Sequence, residues 1–248
     1  SKRRLKFKGL PDEFSGLRIV QLSDLHKKSF SKNNTRLIRA VKRQKPDYII
    51  LCGDMVNRDE KKFSAIKHLL EELSIICPVF YSLGNHEIDM RQEVKSELYS
   101  VIKDTGVVLL NNEEYMISRN GKMIKIVGIS LYRQNYRIKK GVYKGLRSYT
   151  VRDMVNNVGT RQGFTILLAH NPFFFDAYAK WGADLILSGH VHGGVIRVPF
   201  VCGLLSPERK LFPKYSSGVY KKNSSVMLVS RGLGKIRLFN PPEVNIIE

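Results

Sequence analysis

Short apolar runs of strand length recur along this chain and alternate with amphipathic stretches of helix length. The runs predict strands at residues 17–22, 48–52, 79–83, 123–129, 164–169, 183–187 and 226–229. The amphipathic stretches predict helices at residues 32–44, 61–73 and 90–105. Asn120-Gly121 is a dipeptide typical of a tight hairpin turn between two strands. This alternation of strands and helices predicts an α/β sandwich.

The length of the chain suits one domain, because 248 residues can bury one substantial core. Neither a repeat nor a linker divides the sequence, so we predict a single domain over residues 1–248. Within it, residues 1–14 form a basic N-terminal extension. The first residue is Ser1 rather than Met, which leaves room for a signal or anchor segment removed upstream.

The charge balance is strongly basic. Lys and Arg number 42 against 22 Asp and Glu, a formal net charge of +20. Such a field attracts anions: nucleic acid, acidic lipid surfaces, cell-wall polymers or phosphorylated substrates. Residues 131–152, here called the basic segment, combine seven basic residues and four tyrosines without an acidic one. This pattern suits a nucleic-acid backbone, an anionic membrane surface or, the simplest interpretation, a solvated face over a substrate cleft.

Polar residues of the kinds that bind metals follow the predicted strands. Five of the six histidines lie directly after apolar runs, in segments 23–26, 84–87, 169–171 and 188–194, and Gly53-Asp54 closes another run. The carboxyl ends of strands in α/β sheets meet at one crevice, so we expect these segments to converge. The candidate metal ligands are Asp24, His26, Asp54, Asn85, His170, His190 and His192.

The residue types indicate the chemistry. Carboxylate, imidazole and amide ligands together suit Mn, Fe, Zn or Co. In Asp24-Leu25-His26 and His190-Val191-His192, alternation along an extended chain predicts two ligands on the same side. Two metal ions about 3.5–4 Å apart would clamp an in-line displacement at phosphorus and activate a bridging hydroxide.

These motifs resemble those of the calcineurin-like metallophosphoesterases, over residues 17–194. Residues 193–200, 211–215 and 240–243 resemble its YkuE/YaeI-like branch, which is related to UDP-2,3-diacylglucosamine pyrophosphohydrolases. The resemblance implies a four-layer α/β/β/α sandwich. It also implies a first metal on Asp24, His26 and His192, a second on Asn85, His170 and His190, Asp54 bridging both, and His86 as the catalytic histidine.

One position departs from the family pattern. Many members carry an acid three residues after the bridging Asp, which in some of them orients the catalytic histidine, and here that position is Asn57. An amide stabilises an imidazolium less than a carboxylate does, which weakens the case for His86 as a general acid. Asp59 is an alternative partner for His86. We expect Arg133, Arg197 and Asn57 to contact the substrate.

The leading functional hypothesis is a hydrolase of phosphodiester, phosphomonoester or pyrophosphate bonds with two divalent metal ions (Mn, Zn, Fe or a mixture). We expect a monomer without a protein partner, acting on a phosphorylated small molecule or lipid. Its favoured location is an anionic membrane or the cell envelope, and the cytoplasm is the other location considered.

Three alternatives remain open. A nuclease or cyclic-nucleotide phosphodiesterase would use the same metal chemistry. A lipid-linked nucleotide pyrophosphatase would hold an acyl chain against apolar residues between 198 and 212. A binding protein would keep the basic surface and an inactive metal site.

Overall fold

The computed structural model describes residues 1–136, 148–194, 214–234 and 240–248. Its strands are β1 (Lys2–Arg3), β2 (Ile19–Leu22), β3 (Tyr48–Cys52), β4 (Val79–Ser82), β5 (Val108–Leu110), β6 (Glu113–Arg119), β7 (Lys122–Ile129), β8 (Thr165–Ala169), β9 (Leu185–Ser188), β10 (Gly218–Lys222), β11 (Ser225–Val229) and β12 (Asn245–Ile247). Its helices are α1 (Thr35–Lys42), α2 (Ser64–Ser74), α3 (Asn85–Ile88), α4 (Gln92–Asp104), α5 (Val151–Val158) and α6 (Phe175–Trp181).

The strands of the described residues form two six-stranded sheets. The first has the order β1-β12-β2-β3-β4-β5 and the second β10-β11-β9-β8-β7-β6. Pairing is parallel among β2, β3, β4 and β5, and also among β7, β8, β9 and β11. The chain passes from the first sheet to the second at Asn111 and Asn112. Strand β12 returns to the first sheet and lies between β1 and β2.

Three apolar clusters separate four layers. One packs α1, α2 and α4 against the outer face of the first sheet. Another packs α5 and α6 against the outer face of the second sheet. The third lies between the two sheets. The molecule is therefore an α/β/β/α sandwich, and the predicted fold class is confirmed.

The strand β3 shows why these elements form. Ile49 and Leu51 face the helices, whereas Ile50 and Cys52 face the second sheet. A strand covered on both faces needs a continuous run of apolar residues, and the sequences of β3 and the other central strands are such runs. Cys52 has no exposed surface, and burial raises the pKa of its thiol.

All seven predicted strands are present, within two residues at each end. The predicted hairpin turn joins β6 to β7, where Arg119 pairs with Lys122. The predicted helices correspond to a short 3-10 turn with α1, to α2 and to α4. Helices α3, α5 and α6 and strands β1, β5, β10 and β12 were not predicted. In the described part of the chain, no helix is both long enough and apolar enough to cross a bilayer.

Candidate metal centre

The candidate ligands lie in the loops that follow five strands at one edge of the sandwich. Asp24 and His26 follow β2, Asp54 follows β3, and Asn85 begins α3 after β4. The second sheet supplies His170 after β8, and His190 and His192 after β9. The parallel strands explain this convergence, because their carboxyl ends share one edge.

Three sets of side chains in the described residues have potential ligand atoms within 4.8 Å of one another. They are Asp24 with His26 and His192; His26 with Asp54 and His86; and Asp54 with His170 and His190. The first set contains the three residues predicted to hold one metal ion without Asp54, and the third contains Asp54 with two of the three residues predicted to hold the other.

Asp54 lies at the middle of the cluster. Its Oδ2 is 3.3 Å from His170 Nε2, 4.0 Å from His26 Nε2 and 4.0 Å from His86 Nε2. Asp24 Oδ1 lies 3.7 Å from His192 Nε2. Two ligands of one ion, each about 2.0–2.2 Å from it, can be at most about 4.4 Å apart. Each of these distances is therefore short enough for the two atoms to bind the same metal ion.

Several buried atoms of the cluster have no hydrogen-bond partner in the described part of the chain. They are Asp24 Oδ2, Asn85 Oδ1 and His170 Nε2. A buried polar atom without a partner is costly and calls for an explanation. A metal ion would satisfy all three, because a carboxylate oxygen, an amide oxygen and an imidazole nitrogen are metal-ligand types. The donor set therefore fits the expected metals.

Hydrogen bonds to the backbone fix one polar atom on each of three ligand side chains. His170 Nδ1 lies 2.8 Å from the carbonyl oxygen of Cys52. The backbone N–H of His86 donates to Asp54 Oδ1 at 2.8 Å, and that of His190 donates to Asp24 Oδ1 at 3.0 Å. Such bonds orient a ligand and leave its second atom for the metal.

The backbone of the cluster is unusual. Several non-glycine site residues have positive φ: Asp24 (54°), His26 (53°), Asp54 (53°), His190 (70°) and His192 (55°). This region is disfavoured for residues with a Cβ and occurs most at functional sites. The prediction that Asp24-Leu25-His26 and His190-Val191-His192 are extended is therefore wrong. Strands β2 and β9 end before them, and left-handed turns bring their side chains together while Leu25 and Val191 enter the core.

Close packing explains two glycines of the motifs. A Cβ on Gly53 would lie 2.6 Å from His170 Nδ1, and Gly53 itself has φ +72°. A Cβ on Gly84 would overlap the carboxylate of Asp54. Only glycine allows the loops after β3 and β4 to approach this closely.

The surroundings of His86 and His26 differ from the expectation. Asn57 Oδ1 lies 3.1 Å from His26 Nδ1, so this amide contacts a candidate ligand rather than His86. His86 Nδ1 instead accepts a hydrogen bond from the backbone N–H of Arg58, at 3.3 Å. Asp59 pairs with Lys27 at 2.6 Å, so the structure does not support Asp59 as the partner of His86.

The charges of the candidate ligands follow from their burial and from neighbouring charged groups. Burial lowers the pKa of His86 to about 4 and that of His192 to about 4, so both imidazoles are neutral at pH 7. Burial also acts to lower the pKa of His170, but Asp54 and Asp24 outweigh it and raise that pKa to about 10. His170 in turn holds the pKa of the buried Asp54 well below its usual range.

Among the predicted substrate contacts, Arg133 lies beside the centre. Its Nε is 2.7 Å from Asp89 Oδ1, and Asp89 Oδ2 also contacts Arg58 Nη1 at 3.0 Å. Arg197 lies outside the described residues, as do positions 137–147 of the basic segment and the apolar positions between 198 and 212.

The structure adds residues that sequence reasoning missed. Glu87 is fully buried and accepts hydrogen bonds from the backbone N–H groups of Asp54, Met55 and Gly84. In the sequence, the signal that Glu87 belongs to the site was its position in Gly84-Asn85-His86-Glu87. The Tyr136 ring lies 5.3 Å from that of His190, and the only sequence signal was its position in the basic segment.

Comparison with known proteins shows which family this chain resembles. Residues 17–194 match the family model described as calcineurin-like phosphoesterase. The phosphodiesterase YaeI of Escherichia coli is 28% identical, over 100% of this chain and 86% of YaeI. The UDP-2,3-diacylglucosamine pyrophosphatase LpxG of Chlamydia trachomatis is 26% identical, over 95% of this chain and 85% of LpxG.

A solved structure shows the same fold. The phosphopantetheinyl hydrolase PptH of Mycobacterium tuberculosis superposes with a TM-score of 0.54 at 15% identity, over 88% of each chain. The family model covers most of the sequence, and the relatives are similar over nearly their whole length. The chain is therefore a metal-dependent hydrolase of the calcineurin-like phosphoesterase family.

Proposed function

We propose that this chain hydrolyses phosphodiester or pyrophosphate bonds at a centre of two divalent metal ions. One ion would be held by Asp24, His26 and His192, the other by Asn85, His170 and His190, with Asp54 shared. The observation that carries this proposal is the set of buried ligand atoms on Asp24, Asn85 and His170 that no hydrogen bond satisfies in the described part of the chain. When bound, the ions would supply Lewis-acid chemistry and lower the pKa of water.

The chain's own residues suggest how a phosphoryl group would be held. Because His86 Nδ1 accepts the N–H of Arg58, the proton of the neutral ring belongs on Nε2. This Nε2 lies 4.0 Å from Asp54 Oδ2, on the side where the candidate ligands gather. We infer that Nε2–H donates a hydrogen bond to a phosphoryl oxygen.

The state of His86 bears on the substrate class. Burial keeps the imidazole neutral, so it donates a hydrogen bond but is a poor source of a full proton at pH 7. Leaving groups that are stable as anions, such as a phosphate or an aryl oxide, need no such proton. This supports phosphodiesters with good leaving groups and pyrophosphates over alkyl phosphomonoesters.

The names of two relatives support the same classes. YaeI is named a phosphodiesterase and LpxG a UDP-2,3-diacylglucosamine pyrophosphatase. The net charge of +20 supports a site of action at an anionic membrane or envelope surface.

The first experiment compares two small substrates. Metal-stripped protein receives Mn²⁺, Zn²⁺, Fe²⁺ or Mg²⁺ singly, and hydrolysis of bis-p-nitrophenyl phosphate and p-nitrophenyl phosphate is followed. We expect metal-dependent turnover that favours the diester. In Asp54→Asn, kcat/KM should fall by at least about 100-fold, beyond the loss typical of a residue that only supports a ligand.

Asp59→Asn is the matched control. Asp59 is a nearby carboxylate whose side chain is 66% exposed and paired with Lys27, so its loss should leave turnover within about twofold. Turnover without added metal, or an active Asp54→Asn variant, would contradict the proposal.

A lipid-linked nucleotide pyrophosphatase is the second candidate, favoured by the similarity to LpxG over most of both chains. Its test compares diphosphate substrates that differ only in acyl-chain length, at fixed metal concentration. An enzyme for lipid substrates should have a lower KM for the substrate with the longer acyl chain, whereas equal rates on both substrates would reject this candidate.

A further inference from the structure

Two arginines share one buried carboxylate beside His86. Arg58 Nη1 lies 3.0 Å from Asp89 Oδ2, and Arg133 Nε lies 2.7 Å from Asp89 Oδ1. The Asp89 side chain is only 4% exposed, whereas those of Arg58 and Arg133 are 44% and 54% exposed. Among the described residues, two cations share one anion here, which leaves a local excess of positive charge that reaches solvent.

The position of this arginine pair relates it to the centre. Asp89 follows α3, and its backbone N–H bonds the carbonyl of Asn85, so it lies one helical turn from Asn85 and His86. The backbone N–H of Arg58 contacts the His86 ring. Arg133 lies three residues before Tyr136, whose ring faces that of His190. The pair therefore flanks the candidate centre on its His86 side.

A purely structural role explains the arrangement less well. A single arginine can satisfy a carboxylate with two parallel N–H bonds, but here two arginines each place one nitrogen near a separate oxygen of Asp89. Each guanidinium has five N–H donors, so several remain to bind an anion. Partly exposed ion pairs also add little to stability.

We propose that Arg58 and Arg133, oriented by Asp89, bind a second phosphoryl group of the substrate. This inference rests on the proposed hydrolase function and narrows it to diphosphates. Water would attack the phosphorus at the metal centre and the P–O–P bond would break. The bridging oxygen would leave on the second phosphate, and a proton would pass to solvent. The arginines would stabilise the negative charge on that second phosphate.

The test measures binding apart from turnover. Methylenediphosphonate has two linked phosphorus groups and methylphosphonate has one. Their affinities for Mn²⁺-loaded protein are measured by calorimetry. Arg58→Ala and Arg133→Ala should each lower the affinity for methylenediphosphonate about tenfold, the equivalent of one charge-assisted hydrogen bond. The affinity for methylphosphonate should change by less than about twofold. Arg58→Ala keeps the backbone N–H that contacts His86.

Arg161→Ala is the matched control. Arg161 pairs with Asp184 at 2.6 Å, and both residues precede their strands, at the opposite edge of the second sheet. This variant should change neither affinity. Thermal melting shows that each variant is folded, and the double variant should prefer neither ligand.

Turnover separates this inference from the proposed function. Metal content and hydrolysis of bis-p-nitrophenyl phosphate by the wild type test the hydrolase alone. Equal weakening of both phosphonates, or no weakening of either, in variants of a protein that binds metal would overturn the arginine site. Selective weakening of the diphosphonate would support it, even if the test diester is not hydrolysed.

Discussion

Three of the candidate ligands have one atom fixed by a backbone group and another left for a metal. Nδ1 of His170 contacts the carbonyl oxygen of Cys52, and Oδ1 of Asp54 and Oδ1 of Asp24 each accept a backbone N–H. At the scale of single residues, hydrogen bonding thus decides which atom can bind an ion. It also decides which side chains carry a proton before the ion arrives.

Metal binding should release a proton from His170. Because Asp54 and Asp24 raise its pKa to about 10, the metal-free ring stays protonated at neutral pH and loses its proton only as pH rises toward that value. A ligating imidazole is neutral, so the metal must displace this proton. Affinity should therefore rise with pH, by up to about tenfold per unit between about pH 6.5 and 9.

The measurement is calorimetry in buffers of different ionisation enthalpy. His170→Asn should abolish the release of this proton. His192→Asn is the matched variant, because His192 is already neutral with a pKa of about 4; it should lose affinity and keep the proton release. Equal proton release in wild type and His170→Asn would contradict this assignment.

The sequence predicted the residue types and positions of the cluster, because each follows an apolar run that forms a strand. It could not predict their partners. Asn57 contacts His26 instead of His86, and Arg58 reaches His86 through its backbone. Such contacts depend on how left-handed turns orient each loop, and Asp or His at those positions gives no local signal of that conformation.

At the scale of elements, α3 depends on its neighbours. A helix of four residues is not stable alone, because nucleation costs more than so few hydrogen bonds return. Glu87 ties it in place: its carboxylate accepts the N–H groups of Asp54, Met55 and Gly84 and the Tyr81 hydroxyl. One side chain thus joins the loops after β3 and β4.

Glu87→Gln should loosen both loops. The amide replaces an acceptor with a donor that faces N–H groups, so we expect a loss of about 2–4 kcal/mol in the free energy of unfolding. Metal affinity should fall as well, because Asp54 and Asn85 lie on these loops. Thermal melting and metal titration check both effects.

Tyr81→Phe is the graded control for Glu87. It removes one donor at 2.8 Å and leaves the backbone donors in place, so the loss should be about 1 kcal/mol with metal affinity nearly unchanged. Equal effects of the two substitutions would show that Glu87 does not organise the loops.

The central strands could be predicted because burial on both faces demands a continuous apolar run. Three of the missed elements lack such a signal. Helix α6 has seven residues, Phe175–Trp181, of which most are buried, so it shows no amphipathic period. Strand β10 is an edge strand that includes two exposed residues, and β1 has only two residues.

At the scale of the whole molecule, the candidate centre joins the two sheets. Asp24, His26, Asp54 and Asn85 come from the first sheet, whereas His170, His190 and His192 come from the second. Each proposed ion has ligands from both. Bound metal should therefore oppose separation of the sheets as well as support chemistry.

Metal should raise the melting temperature. At a free concentration 100 times Kd, one site contributes about 2.7 kcal/mol, which for a chain of this size corresponds to an increase of about 5–10 °C. Scanning calorimetry with and without Mn²⁺ checks this. Asp54→Asn should lose the increase and Asp59→Asn should keep it; equal shifts in both would exclude stabilisation through this centre.

The position of β12 has a consequence during protein synthesis. This strand is residues 245–247, yet it lies between β1 and β2. On the ribosome, the first sheet can close only after these late residues emerge from the exit tunnel. Asp24, His26 and Asp54 would thus be synthesised well before β12, the strand that completes the sheet from which they extend.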